Sequence, residues 1–142
     1  MAKARRSRMR CTKCSRMLGV AQYYANKRRN RATQPFRQPC KACTLKYLAA
    51  NWRRRYAKAK SEVFAHYGAH CQCCDTTGEV FLTIDHVRGG GSRDRRAKAQ
   101  GVSIYLWLVK HSFPPGFQVL CHNCNWARYA TNGRCPHRSK PR

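Results

Sequence analysis

Four C-x2-C turns run along this chain: Cys11/Cys14, Cys40/Cys43, Cys71/Cys74 and Cys121/Cys124. Two residues between cysteines bring both sulfurs to adjacent corners of a zinc tetrahedron, and a second such turn completes the cage. Pairing neighbours in sequence gives two closed four-cysteine sites, Cys11/Cys14/Cys40/Cys43 and Cys71/Cys74/Cys121/Cys124, and so two structural Zn2+ ions. Interleaved pairing would need the two halves of the chain to be entwined. Ten cysteines in a reducing compartment argue for metal rather than disulfides. Cys73 inside "CQCC" and the Cys135/His137 pair in "CPH" are left over. Cys73 could swap for a neighbour, though 71–74 is the better zinc turn, and Cys135 with His137 could assist a metal site. On ligand count the blander reading, bystanders, is preferred, as it is for His70 beside Cys71.

A different chemistry gathers at "TIDHVRGGGS", where Asp85 and His86 close a short apolar run. The second cysteine cage ties "CQCC", just before that run, to "CHNC", just before the last helical stretch. The doublet is thereby drawn toward Asn125. A carboxylate and an amide oxygen suit a hard cation, Mg2+ or Mn2+, which a thiolate cage would not hold. A neutral histidine, with a reference pKa of ~6.5, takes a proton from water near neutral pH. A helix N-terminus and a basic loop offer seats for phosphate. Together these describe phosphodiester hydrolysis.

The charge fits a polyanionic partner. The 142 residues carry 30 Lys and Arg against five acids, a formal +25, and no acid precedes Glu62. Such a surface repels itself unless phosphates offset it, and counterion release rewards that contact. The candidates for DNA contact are Arg88, Arg93, Arg95, Arg96 and Lys98 in the loop after the doublet, with Arg53, Arg54 and Arg55 on a helix. No apolar stretch is long enough to span a bilayer. "MAKARRSRMR" leads into no signal-type segment, so the expected location is the cytoplasm (a host's, if the chain is phage-encoded).

The elements that must position these groups follow from pattern. Residues 1–10 read as a mobile basic arm and 11–43 as a turn-rich zinc ribbon. From 44 to 67, Leu45, Leu48, Ala49, Trp52, Tyr56, Val63 and Tyr67 recur at helical spacing. This predicts a linking helix about 35 Å long, stopped by Gly68, whose apolar stripe packs against a core. "EVFLTI" reads as a strand with Val80, Leu82 and Ile84 on one face. "IYLWLVKH" predicts a short helix with Ile104, Trp107, Leu108 and His111 in line. "FPPG" breaks it, "FQVL" is a second strand, and "CHNCNWARYA" turns into a helix. Residues 131–142 form a basic tail. The fold class expected is a small α+β zinc protein.

"CQCC", "TIDH" and "FQVLCHNCN", in this order and spacing, resemble the HNH, or His-Me finger, endonucleases. The match is to the branch with a four-cysteine zinc knuckle, especially small phage-type members. It covers residues 68–130. The resemblance implies a ββα-metal module with His86 as general base. It also implies that Asp85 and Asn125 hold one Mg2+ or Mn2+ on the scissile phosphate of duplex, nicked or branched DNA, leaving 5′-phosphate and 3′-hydroxyl ends. Many members brace the catalytic histidine with an asparagine just before the second C-x2-C. Here that window reads "PPGFQ", which leaves three options: the brace comes from Gln118, comes from a backbone carbonyl, or is missing. Two other readings stand beside this one: a non-catalytic basic zinc-ribbon protein binding DNA or RNA, and an assembly factor using the same fold for docking.

Overall fold

The computed structural model describes residues 7–27, 34–89 and 103–139. Among them are three helices and short antiparallel sheets, an α+β arrangement. The chain divides into two compact units, residues 1–53 and 54–142. No helix among the described residues is long and apolar enough to cross a membrane.

The first unit is built from two small hairpins. Strand β1 (Arg8–Arg10) pairs antiparallel with β2 (Met17–Gly19), and β3 (Tyr24–Ala25) with β4 (Phe36–Arg37). Arg8–Arg10, expected in a free arm, are therefore held in a ladder. Its core is little more than Cys11, Cys40 and Tyr23, with Met9, Leu18 and Phe36 packed around them. The Tyr23 hydroxyl donates to the Met9 carbonyl at 2.8 Å, which satisfies the polar end of a buried ring. So few apolar residues cannot hold a fold alone, and a structural metal is the ordinary remedy.

Helix α1 (Lys41–Tyr67) begins three residues before the periodic pattern does. The reason is local: the Cys40 carbonyl accepts the Thr44 amide at 2.9 Å, so the second C-x2-C is already wound into the first turn. Gly68 stops the helix at φ 108°, a left-handed conformation suited to glycine, with its amide on the Phe64 carbonyl. The expected stripe is only half used. Ala59, Val63 and Phe64 are buried and Tyr56 and Tyr67 partly so, whereas Leu45, Leu48 and Trp52 are exposed. Spacing puts residues on one face of a helix; it does not supply a partner for the whole face.

In the second unit, β5 (Leu82–His86) pairs antiparallel with β6 (Phe117–Cys121), Asp85 opposite Gln118 and His86 opposite Phe117. Helix α2 (Ile104–Lys110) precedes β6, and α3 (His122–Ala130) follows it without a break. Leu82 and Ile84 point inward as the alternation predicts. Val80 does not join them: residues 79–81 form a turn, and Val80 and Phe81 are exposed. On α2 the buried pair is Tyr105 and Leu108, while His111 caps the exposed end, its Nδ1 2.8 Å from the Trp107 carbonyl. Tyr105 meets Tyr56 and Phe64 edge-on at 5.4 and 5.9 Å, joining α1 to α2.

Candidate metal centres and the Asp85–His86 site

The cysteine turns fold alike in both units. In the first, the Cys11 amide donates to the Arg16 carbonyl at 3.0 Å and the Ser15 amide to the Cys11 carbonyl at 2.9 Å. In the second, Cys71 and Thr76, then Asp75 and Cys71, make the same two bonds at 2.9 Å each. Ser15 and Asp75, each directly after the second cysteine, share φ 59°. Each knuckle then faces a helix start: Cys40 and Cys43 open α1, and Cys121 and Cys124 open α3. Amide groups unpaired at a helix N-terminus favour negative charge, so two thiolates are well placed there. The Cys124 amide donates to the Cys121 sulfur at 3.4 Å.

The sulfur spacing fits zinc. Sulfurs ~2.3 Å from one tetrahedral ion stand ~3.8 Å apart. Cys11 and Cys43 are 3.9 Å apart, Cys74 and Cys121 3.7 Å, and Cys74 and Cys124 3.6 Å. All ten cysteines are free thiols. Both cages hold sulfurs biased toward thiolate, Cys11 and Cys14 in the first, the latter brought down by hydrogen bonds from Arg16, and Cys74 in the second. Burial pushes the Cys11 thiol up, but backbone amides of Cys40, Cys14 and Lys13 outweigh it and bring it down to about 6. Hydrogen bonds from the Thr76 hydroxyl and amide bring Cys74 to about 6. Burial wins at Cys43, which rises to about 12, and at Cys124, also pushed up.

Among the described residues three groups of ligands, not two, are close enough to hold a metal. Beside the two four-cysteine sets, Cys73, Cys124, Cys135 and His137 have their ligand atoms within 4.8 Å of one another. The sequence favours a bystander role for Cys73, Cys135 and His137, since the 71–74 frame is the better zinc turn and two ligands at "CPH" are too few for a site alone. Here Cys135 is buried in the core of the second unit. The C-x-H spacing beside an extra cysteine in "CQCC" was the available signal.

Asp85 and His86 form the last two residues of β5, both half-buried. The Asp85 carboxylate is engaged: Arg128 Nη1 donates to Oδ2 at 2.5 Å and Gln118 Nε2 to the same oxygen at 3.0 Å. Gln118, one of the options for bracing His86, thus holds Asp85 through the cross-strand pair. The His86 ring packs on Phe117, centroids 4.7 Å apart. Asn125 is half-buried on the first turn of α3, one turn before Arg128 and so on the same side of the helix. The donor types, one carboxylate and one amide, fit a hard cation, and with both hydrogen bonds on Oδ2 the attachment point for one is Oδ1.

Among the positions expected to meet DNA, Arg53, Arg54, Arg55 and Arg88 are exposed. Arg93, Arg95, Arg96 and Lys98 lie outside the described residues. Trp126 and Tyr129, next to Asn125 and Arg128 on α3, are exposed too and have ring centroids 5.4 Å apart. Comparison with family models, with curated proteins and with solved structures finds no match to this chain.

Proposed function

We propose that this chain is a divalent-metal-dependent DNA endonuclease of the HNH type, with two structural Zn2+ ions in its four-cysteine groups. On this reading residues 68–130 are a ββα-metal module, and residues 11–43 a zinc ribbon that adds non-specific affinity. His86 is the general base that takes a proton from the attacking water. Asp85 and Asn125 hold one Mg2+ or Mn2+, which when bound stabilises charge on the scissile phosphate and leaving oxygen. Arg128, beside Asp85, is a second positive group for a phosphate oxygen.

The observation that carries the reading is the contact between Arg128 and Asp85. It links α3, which bears Asn125 one turn before Arg128, to the end of β5, where His86 also stands. The alternating strand pair that runs directly into a cysteine-capped helix supplies the frame. The excess of positive charge and the exposed Trp126 and Tyr129 support a nucleic-acid partner, since aromatic faces stack on unpaired bases.

One observation favours the non-catalytic alternative, a basic zinc protein that only binds DNA or RNA. The Asp85 carboxylate already has a cationic partner, which would suffice for a purely structural role. Supercoiled plasmid incubated with zinc-loaded protein and Mg2+ or Mn2+ separates the two. Nicked product that requires the added ion supports the nuclease; binding without any cleavage supports the alternative.

A further inference from the structure

We propose that the second unit holds a two-metal thiolate cluster, in which the Cys124 sulfur bridges the four-cysteine zinc to an additional zinc bound by Cys73, Cys135 and His137. Cys124 belongs to both ligand groups, and it is fully buried between them. Its sulfur is 3.6 Å from Cys74 on one side and 3.2 Å from His137 Nδ1 on the other. Cys135 stands 3.7 Å from the same ring nitrogen. A sulfur and a nitrogen on one tetrahedral zinc lie ~3.6 Å apart, between these two values.

The charges also close. Cys73 and Cys135 bring two negative charges and His137 a neutral nitrogen, which match one further divalent ion. A thiolate has lone pairs enough for two ions. The cluster also gives the last described segment a reason to return. The 3-10 turn Pro136–Ser139 brings His137 back to the knuckle at Cys71–Cys74. Gly133, two residues before Cys135, accepts Arg128 Nε at 3.3 Å, while Arg128 also holds the Val87 carbonyl and Asp85. The added ion therefore pins the segment that steadies Arg128.

The test is metal content and ligation in the full chain. Protein purified under reducing conditions should contain three zinc ions, and His137→Ala and Cys135→Ser should each contain two. His137 is exposed, so His137→Ala removes a ligand without opening the core. In protein loaded with 113Cd, two of three resonances should show metal–metal coupling through the shared sulfur, and His137→Ala should abolish it. Two ions in the wild type, three in His137→Ala, or three uncoupled cadmium signals would each overturn the proposal. A Cys73–Cys135 disulfide found by mass spectrometry in zinc-loaded protein would overturn it as well.

Discussion

Arg128 donates to Asp85 at 2.5 Å across 43 residues of sequence, and so joins α3 to the end of β5. The pair is well enclosed, with side chains 19% and 18% exposed, and Arg128 also donates to the Val87 and Gly133 carbonyls. One side chain thus fixes a strand end, the turn after it and the segment that follows α3.

Arg128→Met should therefore destabilise the second unit by about 1–3 kcal/mol, because it strands a carboxylate that is largely out of water. That corresponds to a fall in Tm of roughly 5–15 °C. On the proposed reading the same change removes a positive charge beside the Asp85 cation site, so half-maximal cleavage should need less Mn2+. Differential scanning calorimetry and a Mn2+ titration check the two parts. An unchanged Tm would mean that the ion pair carries no weight in the fold.

Asp85→Ala and Asn125→Ala should weaken the divalent site while leaving the cysteine cages intact. Cleavage should fall in Mg2+ and recover in part when Mn2+ is raised, as lost ligands are offset by ion concentration. Zinc content, measured on the same samples, should match the wild type. Loss of zinc in either variant would point to a folding defect instead.

Chelation should unfold the chain rather than only inhibit it. The first unit buries little besides Cys11, Cys40 and Tyr23, and metal binding to such a site is itself folding free energy. Circular dichroism after treatment with a strong zinc chelator should lose the helical signal, and zinc should restore it. A fully folded metal-free chain would contradict the structural role given to the cages.

The exposed run Arg53–Arg55 should contribute to DNA affinity through phosphate contact alone. Replacing all three with alanine should weaken binding to unrelated duplexes equally, and flatten the log K against log salt slope by up to about 3. A shift assay over a salt series reads both. An unchanged slope would remove these arginines from the DNA-contacting surface.

The zinc turns were legible because C-x2-C is a local spacing, and the knuckle needs only its own few residues to fold. Strands β5 and β6 and helix α3 were legible as separate elements for similar reasons, since alternation and a cysteine-capped start are written in adjacent residues. Exposure of Leu45 and Trp52 was not legible, because periodicity describes a face and says nothing of what covers it. Nor was the third ligand group, which depends on Cys135 and His137 returning to Cys73 from 62 and 64 residues away. The partner of Gln118 was likewise hidden: register places it opposite Asp85, one position from the histidine it was one option for bracing.

The central claim is that His86 serves as the general base, and His86→Ala tests it most directly. Nicking of supercoiled plasmid in Mg2+ should fall by about 10²–10⁴-fold or more. Affinity in a shift assay, zinc content and the circular dichroism spectrum should stay at wild-type values. If folded, zinc-loaded His86→Ala nicks as fast as the wild type, the nuclease reading of this site is contradicted.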